Sequence, residues 1–300
     1  IPLTPRGGSQ SATTVLDGSG DGRGRGPLRL GAPVVFLPTI ARMTDPSPSP
    51  IALITGGGTG IGAASARRLA AMGFDVVLTG RRIEPLMATA ASIGAQARAR
   101  VMDVADAESV EAGVATLERC DVLVNNAGGA LGSQPVEQGD VEQWRAMFES
   151  NVIGTLQVIK ATLPLLHRSP RATIVDISST AGQIVYEGGA GYVVAKHGTS
   201  VISETLRLEL AGTHIRVVDI RPGMVHTEGF ALTRFGGDQV AADKVYAGVD
   251  RPLVADDVAA CVEFVVGLPQ HVNIDALTVR PVAQAAQHKV HRGPIDWQTS

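Results

Sequence analysis

Thr55-Gly56-Gly57-Gly58-Thr59-Gly60-Ile61-Gly62 follows directly on the apolar run Ile51-Ala52-Leu53-Ile54. The pattern predicts a buried strand, a glycine turn, and a helix that starts near Ile61. Ala63, Ala64 and Ala66 continue that helix, and Leu69, Ala70 and Met72 extend its apolar side. A helix start exposes unpaired backbone N–H groups and partial positive charge. Residues without a Cβ let a diphosphate reach those groups. The turn is therefore a candidate cradle for the pyrophosphate of a dinucleotide, with Thr55, Gly56, Gly60, Ile61 and Gly62 as its contacts.

Downstream of this turn, strand-like and helix-like stretches alternate. Strands are predicted at 51–55, 74–79, 97–102, 121–125, 172–178, 214–220 and 276–280. Helical patterns lie near 61–72, 83–92, 106–118, 140–167, 191–211 and 256–267. Such alternation implies right-handed crossovers and a parallel sheet with helices on both faces. The expected fold is a single doubly wound Rossmann-type α/β domain with a seven-stranded sheet, its ligand site at the carboxyl ends of the strands.

Composition supports this and excludes other classes. Of 300 residues, 44% are hydrophobic and 18% charged, enough apolar material for a large core, and the 4% aromatic content fits aliphatic packing of parallel strands. A net charge of −3 argues against nucleic acid as the main partner. No apolar run approaches the ~20 residues needed to span a bilayer, so no membrane partner is expected. Cys120 and Cys261 lack metal-ligand spacing and read as small buried hydrophobes in a reducing, cytoplasmic compartment. No metal site is predicted.

Residues 1–50 are rich in Gly, Pro, Ser and Arg and hold no helical or strand period, so a disordered low-complexity extension is expected there. Met43-Thr44-Asp45 reads as a natural start, with residues 1–42 translated from upstream or added sequence. A cleaved organellar leader is the alternative. The folded domain is expected over 51–292, with 293–300 as a tail.

The second strand ends in Gly80-Arg81-Arg82. A chain selecting NAD usually carries an acid there for the free ribose 2′-hydroxyl. Here a glycine and two guanidiniums stand in its place, and guanidiniums pair with a 2′-phosphate. Arg81 and Arg82 therefore predict NADP as cofactor. Further on, Tyr192-Val193-Val194-Ala195-Lys196 puts a phenol and an ammonium at i and i+4, on one helix face. Ser179 lies thirteen residues before Tyr192, at the end of a strand. Strand alternation separates it from its neighbour Ser178.

The Thr-Gly-x-x-x-Gly-x-Gly turn, the Asn125-Asn126-Ala127-Gly128 quartet, Asn151, Ser179 and the Tyr192–Lys196 pair together resemble the short-chain dehydrogenase/reductase family. The resemblance covers about residues 51–292. It implies an oxidoreductase moving a hydride between nicotinamide and a carbonyl carbon. Tyr192 would act as the acid, Ser179 would bond the substrate oxygen, Lys196 would bind the nicotinamide ribose, and Asn151 would hold a water that relays protons to Lys196. With Lys196 and an oxidised nicotinamide nearby, the Tyr192 pKa is expected to fall from about 10 toward working pH. By the same resemblance Asp103 and Val104 flank the adenine, and Asn125, Ala127 and Gly128 border the cofactor. Pro222, Gly223, Val225 and Thr227 hold the carboxamide, while His226 reads as a loop residue.

Phe235-Gly236-Gly237-Asp238, Ala241–Tyr246 and the stretch from His271 to Pro281 are similar to a subgroup, the NADP-dependent 3-hydroxy acid dehydrogenases. That subgroup acts on serine-like 3-hydroxy acids and reduces malonic semialdehyde. Arg234 is then the candidate for the substrate carboxylate. A solvated arginine, or one paired with Asp238, is the alternative. A 3-oxoacyl thioester or general ketone/alcohol reductase remains the rival activity, and a non-catalytic NADP-binding regulator the rival class. Small and apolar residues on several faces of 140–167 and 191–211 predict a homo-oligomer, a tetramer by resemblance.

Overall fold

The computed structural model describes residues 49–227 and 229–297. Residues 1–48 of the expected extension, and the expected start at Met43, lie outside the described residues. The elements run β1 (Ile51–Thr55), α1 (Gly60–Ala71), β2 (Asp75–Gly80), α2 (Ile83–Ile93), β3 (Ala97–Val101), α3 (Ala107–Val114) and β4 (Val122–Asn125). They continue through α4 (Val141–Phe148), α5 (Gly154–Leu166), β5 (Thr173–Ile177), α6 (Ala190–Glu209) and β6 (Arg216–Pro222). After β6 come β7 (Val225–His226), α7 (Phe230–Arg234), α8 (Gln239–Tyr246), β8 (Leu253–Val254), α9 (Ala255–Gly267) and β9 (Ala276–Val279).

Seven strands form one sheet in the order β3-β2-β1-β4-β5-β6-β9, every pairing parallel. The reversal of strand order beside β1 creates the crevice where ligands of doubly wound folds bind. Alternate residues of each strand feed two cores. Ala52, Ile54, Val76, Val124 and Val218 pack under α1 and α9. Leu53, Val77, Leu123, Ile174 and Val217 pack under α3, α5 and α6. Both faces are thus buried, which is why the central strands read as nearly continuous aliphatic runs.

Two differences from the sequence expectation bear on the site. The segment 140–167, predicted as one helix, is α4 and α5 joined through a π-helical turn at Glu149–Ile153. The apolar pattern does not mark where a helix widens, and such turns cluster at functional positions. Segments 230–234 and 239–246, for which no helix was predicted, form α7 and α8. Asp238 caps α8, its carboxylate accepting from the Ala241 N–H at 3.0 Å. Part of the expected tail is anchored: Gly293 N donates to Gly248 O at 2.7 Å, and Trp297 Nε1 to Asp250 at 2.7 Å.

Candidate active site

The turn between β1 and α1 is built by close approach. Gly56 and Gly60 have φ of +65° and +53°, in the left-handed region. A Cβ on Gly62 would lie 2.2 Å from the Gly56 carbonyl oxygen, so no other residue fits there without displacing backbone. Thr59 makes no side-chain cap, which leaves the first N–H groups of α1 aimed out of the turn. Asn126 holds the turn from the neighbouring strand, its Nδ2 donating to Thr55 O at 3.0 Å and Gly56 O at 3.3 Å. The Thr55 hydroxyl in turn accepts from the N–H groups of Asn126 and Ala127, each at 2.9 Å. This is a cradle that a diphosphate fits and a Cβ would fill.

Two of the other expected cofactor segments lie against that turn. A Cβ on Gly58 would touch Pro85 and Leu86, so the start of α2 and the Arg81-Arg82 pair before it lie beside the glycine loop. Both arginines are exposed. Asp103 caps its own loop, its carboxylate accepting from the Ala105 N–H at 3.1 Å. Val104 is buried, with its carbonyl bonded by Gln157 at 2.8 Å. Thr227 meets the turn directly, its side chain 3.6 Å from where a Cβ of Gly60 would stand. Asn125 differs from the rest: its side chain points into the sheet and donates to Asp176 at 2.8 Å. It holds β4 to β5, and only its backbone faces the crevice side.

The catalytic candidates arrive from three elements. Ser179 follows β5, where its hydroxyl accepts from the Ala181 N–H at 3.1 Å and donates to Pro222 O at 3.3 Å. Tyr192, in the first turn of α6, reaches Ser179 with its hydroxyl. Its ring also packs edge-on against Phe230 of α7, with centroids 5.9 Å apart. Lys196 is one turn further along α6, 6% exposed, with Nζ 5.9 Å from the Tyr192 ring centre and bonded to Ile177 O at 2.9 Å. Ser178 faces the other way, into Asp219.

Asn151 sits in the π turn, 1% exposed, its Nδ2 donating to Met147 O at 2.8 Å and Gly129 O at 3.0 Å. The hydroxyls of Thr155 and Thr199 bond its carbonyl at 2.8 Å and 3.0 Å. Its Oδ1 is buried without a partner, and a Cβ on Gly128 would lie 2.3 Å from it.

The chain's own groups act on both titratable candidates. Burial is the dominant influence on Tyr192 and raises its pKa; the Ser179 hydrogen bond and the Arg234 charge only partly oppose it. Lys196 is pulled down to about 8, again by burial, against the raising influence of Asp219 and Asp176. The phenol thus stands protonated, poised as an acid, beside an ammonium whose own proton is held loosely.

Arg234 closes the outer side. Its Nε donates to Gly132 O at 3.1 Å, Nη2 to Gly188 O at 3.2 Å, and Nη1 reaches the Tyr186 hydroxyl at 3.5 Å. It does not pair with Asp238. Leu131, Ser133, Gln134, Trp144, Gly189 and Tyr192 line a small pocket. Glu187 is exposed. His226, expected as a plain loop residue, stacks on Tyr246 at 4.4 Å, and the Tyr246 hydroxyl donates to Val225 O at 2.9 Å. Sequence reasoning missed Tyr246, and it missed Asn126 as a clamp although the Asn125–Gly128 quartet contains it.

Fold and site together define a nucleotide-binding doubly wound α/β protein with a Ser–Tyr–Lys centre at the strand ends. The chain belongs to the short chain dehydrogenase family, whose pattern matches residues 50–234. It is an oxidoreductase of that family. It is 49% identical over 245 residues to an uncharacterized oxidoreductase of Mycobacterium tuberculosis, covering 82% of this chain and 96% of that one. It is 40% identical to the serine 3-dehydrogenase of Agrobacterium fabrum, covering 80% of this chain and 97% of the relative. Among solved structures, the closed form of a serine dehydrogenase complexed with NADP+ superposes with a TM-score of 0.76 at 38% identity, covering 81% of this chain and 99% of that one.

Lys196 provides a direct check of this electrostatic account. Between about 8, its folded pKa, and 10.5, its ordinary one, the unfolded chain keeps a proton that the native chain has released. The stability contributed at this position therefore rises with pH across that window. The unfolding free energy of wild type minus that of Lys196→Met should climb by roughly 2–3 kcal/mol between about pH 7.5 and about pH 10.5 in urea titrations. A flat difference would show that Lys196 titrates as an exposed lysine does.

Proposed function

We propose that the chain is an NADP(H)-dependent dehydrogenase of small 3-hydroxy acids, or the reductase of the matching semialdehydes. The observation that carries this reading is the convergence of Ser179, Tyr192 and Lys196 at the carboxyl end of β5. When bound, the nicotinamide cofactor supplies or accepts the hydride.

The remaining steps belong to this chain. Tyr192 gives its phenolic proton to the substrate oxygen in reduction and takes it back in oxidation. Ser179 bonds that oxygen and fixes its distance from the phenol. Lys196 holds the nicotinamide ribose and favours the phenolate once the proton has left. Asn151 anchors the water that returns a proton toward Lys196. The first turn of α1 takes the pyrophosphate, Asp103 and Val104 border the adenine, and Val225 and Thr227 face the carboxamide.

Cofactor choice rests on Arg81 and Arg82 following Gly80, where an acid would repel a 2′-phosphate. The NADP+ in the solved serine dehydrogenase supports the same choice. Arg234 is the proposed cation for a substrate carboxylate. Its guanidinium already spans two loops, and its charge reaches the Tyr192 hydroxyl. We assign this catalytic domain to 51–292 and the setting to the cytoplasm. Buried Cys120 and half-buried Cys261 stay reduced there, and among the described residues no helix is long and apolar enough to cross a membrane.

We also propose a homo-oligomer, a tetramer by family resemblance. Val194, Val201 and Leu208 recur every seven residues along α6 and are 49%, 59% and 78% exposed, an apolar stripe that a second copy would cover. Light scattering on wild type should give a multiple of the 31.1 kDa chain, and Val201→Glu a smaller species with an unchanged circular dichroism spectrum. A monomeric wild type would contradict the proposal.

A substrate panel read at the reduced-nicotinamide absorbance tests the activity. L-serine and 3-hydroxypropionate should turn over with NADP+ and far more slowly with NAD+, while Tyr192→Phe should lose at least about a hundredfold in kcat and keep its cofactor affinity. Preference for a 3-oxoacyl thioester would overturn the substrate class, and an active Tyr192→Phe would overturn the acid.

A further inference from the structure

Two loops must hold still for the proposed chemistry: the one that carries Ser179, and Met224–Thr227 after β6. Neither belongs to a long element. Ser179 opens a 3₁₀ turn of three residues, and Val225–His226 is a two-residue strand. What fixes them comes from the far end of the chain, the irregular segment that follows β9.

Gln284 is 5% exposed although it lies in no helix or strand. Its Oε1 accepts the Met224 N–H at 2.8 Å. A Cβ on Gly223 would lie 2.3 Å from that same oxygen. Gly223 therefore has to be a glycine for the amide to enter. Three residues on, Gln287 Oε1 accepts from the Thr180 hydroxyl at 2.8 Å, and Thr180 is the immediate neighbour of Ser179. Thr180 itself is 1% exposed.

The segment that presents the two amides is rigid in its own right. Gln284 N donates to Pro281 O, Ala285 N to Lys289 O, and His291 N to Ala283 O, at 2.8, 3.0 and 2.8 Å. Gln284 also pairs with Val290 in an antiparallel bridge. A side chain held by such a turn loses little further freedom when it makes its bond, so the bond restrains its partner.

We propose that Gln284 and Gln287 are positioning residues, a two-pronged clasp by which the segment after β9 sets the nicotinamide-facing backbone and the serine loop of the site. Gln284 acts on the cofactor side, because fixing the Met224 N–H orients the next peptide, that of Val225. Gln287 acts on the substrate side, because fixing Thr180 holds the turn that Ser179 caps. Neither glutamine touches the reacting atoms. The inference rests on the cofactor reading of Val225 and Thr227 given above.

Methionine matches glutamine in length and lacks the acceptor, whereas glutamate keeps an acceptor oxygen at the same place. In the full chain, Gln284→Met should raise the NADPH Kd about tenfold while kcat at saturation changes little. Gln284→Glu should recover most of that affinity. Gln287→Met should show the opposite split, a kcat lowered about tenfold at wild-type Kd. A Gln284→Met enzyme with wild-type Kd, or a Gln284→Glu enzyme as weak as Gln284→Met, overturns the clasp. So does a melting temperature that falls while both kinetic constants stay put. Amide hydrogen exchange over residues 222–226, read without cofactor, separates the clasp from the reading it rests on. Gln284→Met should speed exchange at Met224, and unchanged exchange overturns the grip whatever the cofactor proves to be.

Discussion

Two carboxylates, Asp176 on β5 and Asp219 on β6, stand opposite each other in register, and neither is reached by solvent. Charge removed from water must be bonded or neutralised. Asp176 takes hydrogen bonds from Asn125 at 2.8 Å and Ser203 at 2.5 Å, and burial still pushes its pKa up to about 6. Asp219 takes Ser178 and, at 2.6 Å, Arg221, which continues to Glu204 at 2.8 Å. Ser203, Glu204 and Lys196 all belong to α6. The helix that carries the candidate phenol and ammonium is thus docked on the sheet through a polar seam as well as through Leu206 and Leu210. Apolar contacts alone would let a helix slide or rotate by small amounts. Directional bonds from buried acids fix its register, and with it the position of Tyr192 over the strand ends.

The same carboxylates act on Lys196 across that seam. Burial weakens its hold on a proton, and the two acids partly restore it. On the opposite side of the phenol, Arg234 adds a second cation while bridging the loops at Gly132 and Gly188. Tyr192 packs on Phe230. Burial raises its pKa, and Ser179 and, from the outer loops, the Arg234 charge both oppose that rise. The family relationship is consistent with this layout.

Much of the architecture was legible because it depends on local pattern. Aliphatic runs broken by amphipathic helices give the seven parallel strands, and the glycine turn declares itself by spacing. Tyr192 and Lys196 were readable because their spacing, together with Ser179, Asn151 and the glycine turn, resembles the family pattern. What escaped was set by contacts distant in sequence. The π turn at Asn151 is a matter of backbone hydrogen bonding, which the apolar pattern does not mark. Helices α7 and α8 are too short for a period to register. The Asn126 amide closes the glycine turn from a different strand, and Gln284 reaches Met224 across sixty residues of chain, so neither has a local signature. Burial of Tyr192 has no local signature for the same reason. The spacing names the neighbouring ammonium, while desolvation, the stronger influence, comes from elements that only the fold brings in.

The central claim is that hydride moves between nicotinamide and a substrate carbon at the Ser179–Tyr192–Lys196 centre. Tracing the atom tests it most directly. The enzyme is given NADPH carrying deuterium on the transferable face of nicotinamide C4, together with a 3-oxo acid, and the product is read by proton NMR and mass spectrometry. The account predicts one deuterium on the new carbinol carbon with wild type and almost none with Tyr192→Phe over the same interval. Product without label, or equal labelling by both proteins, would contradict it.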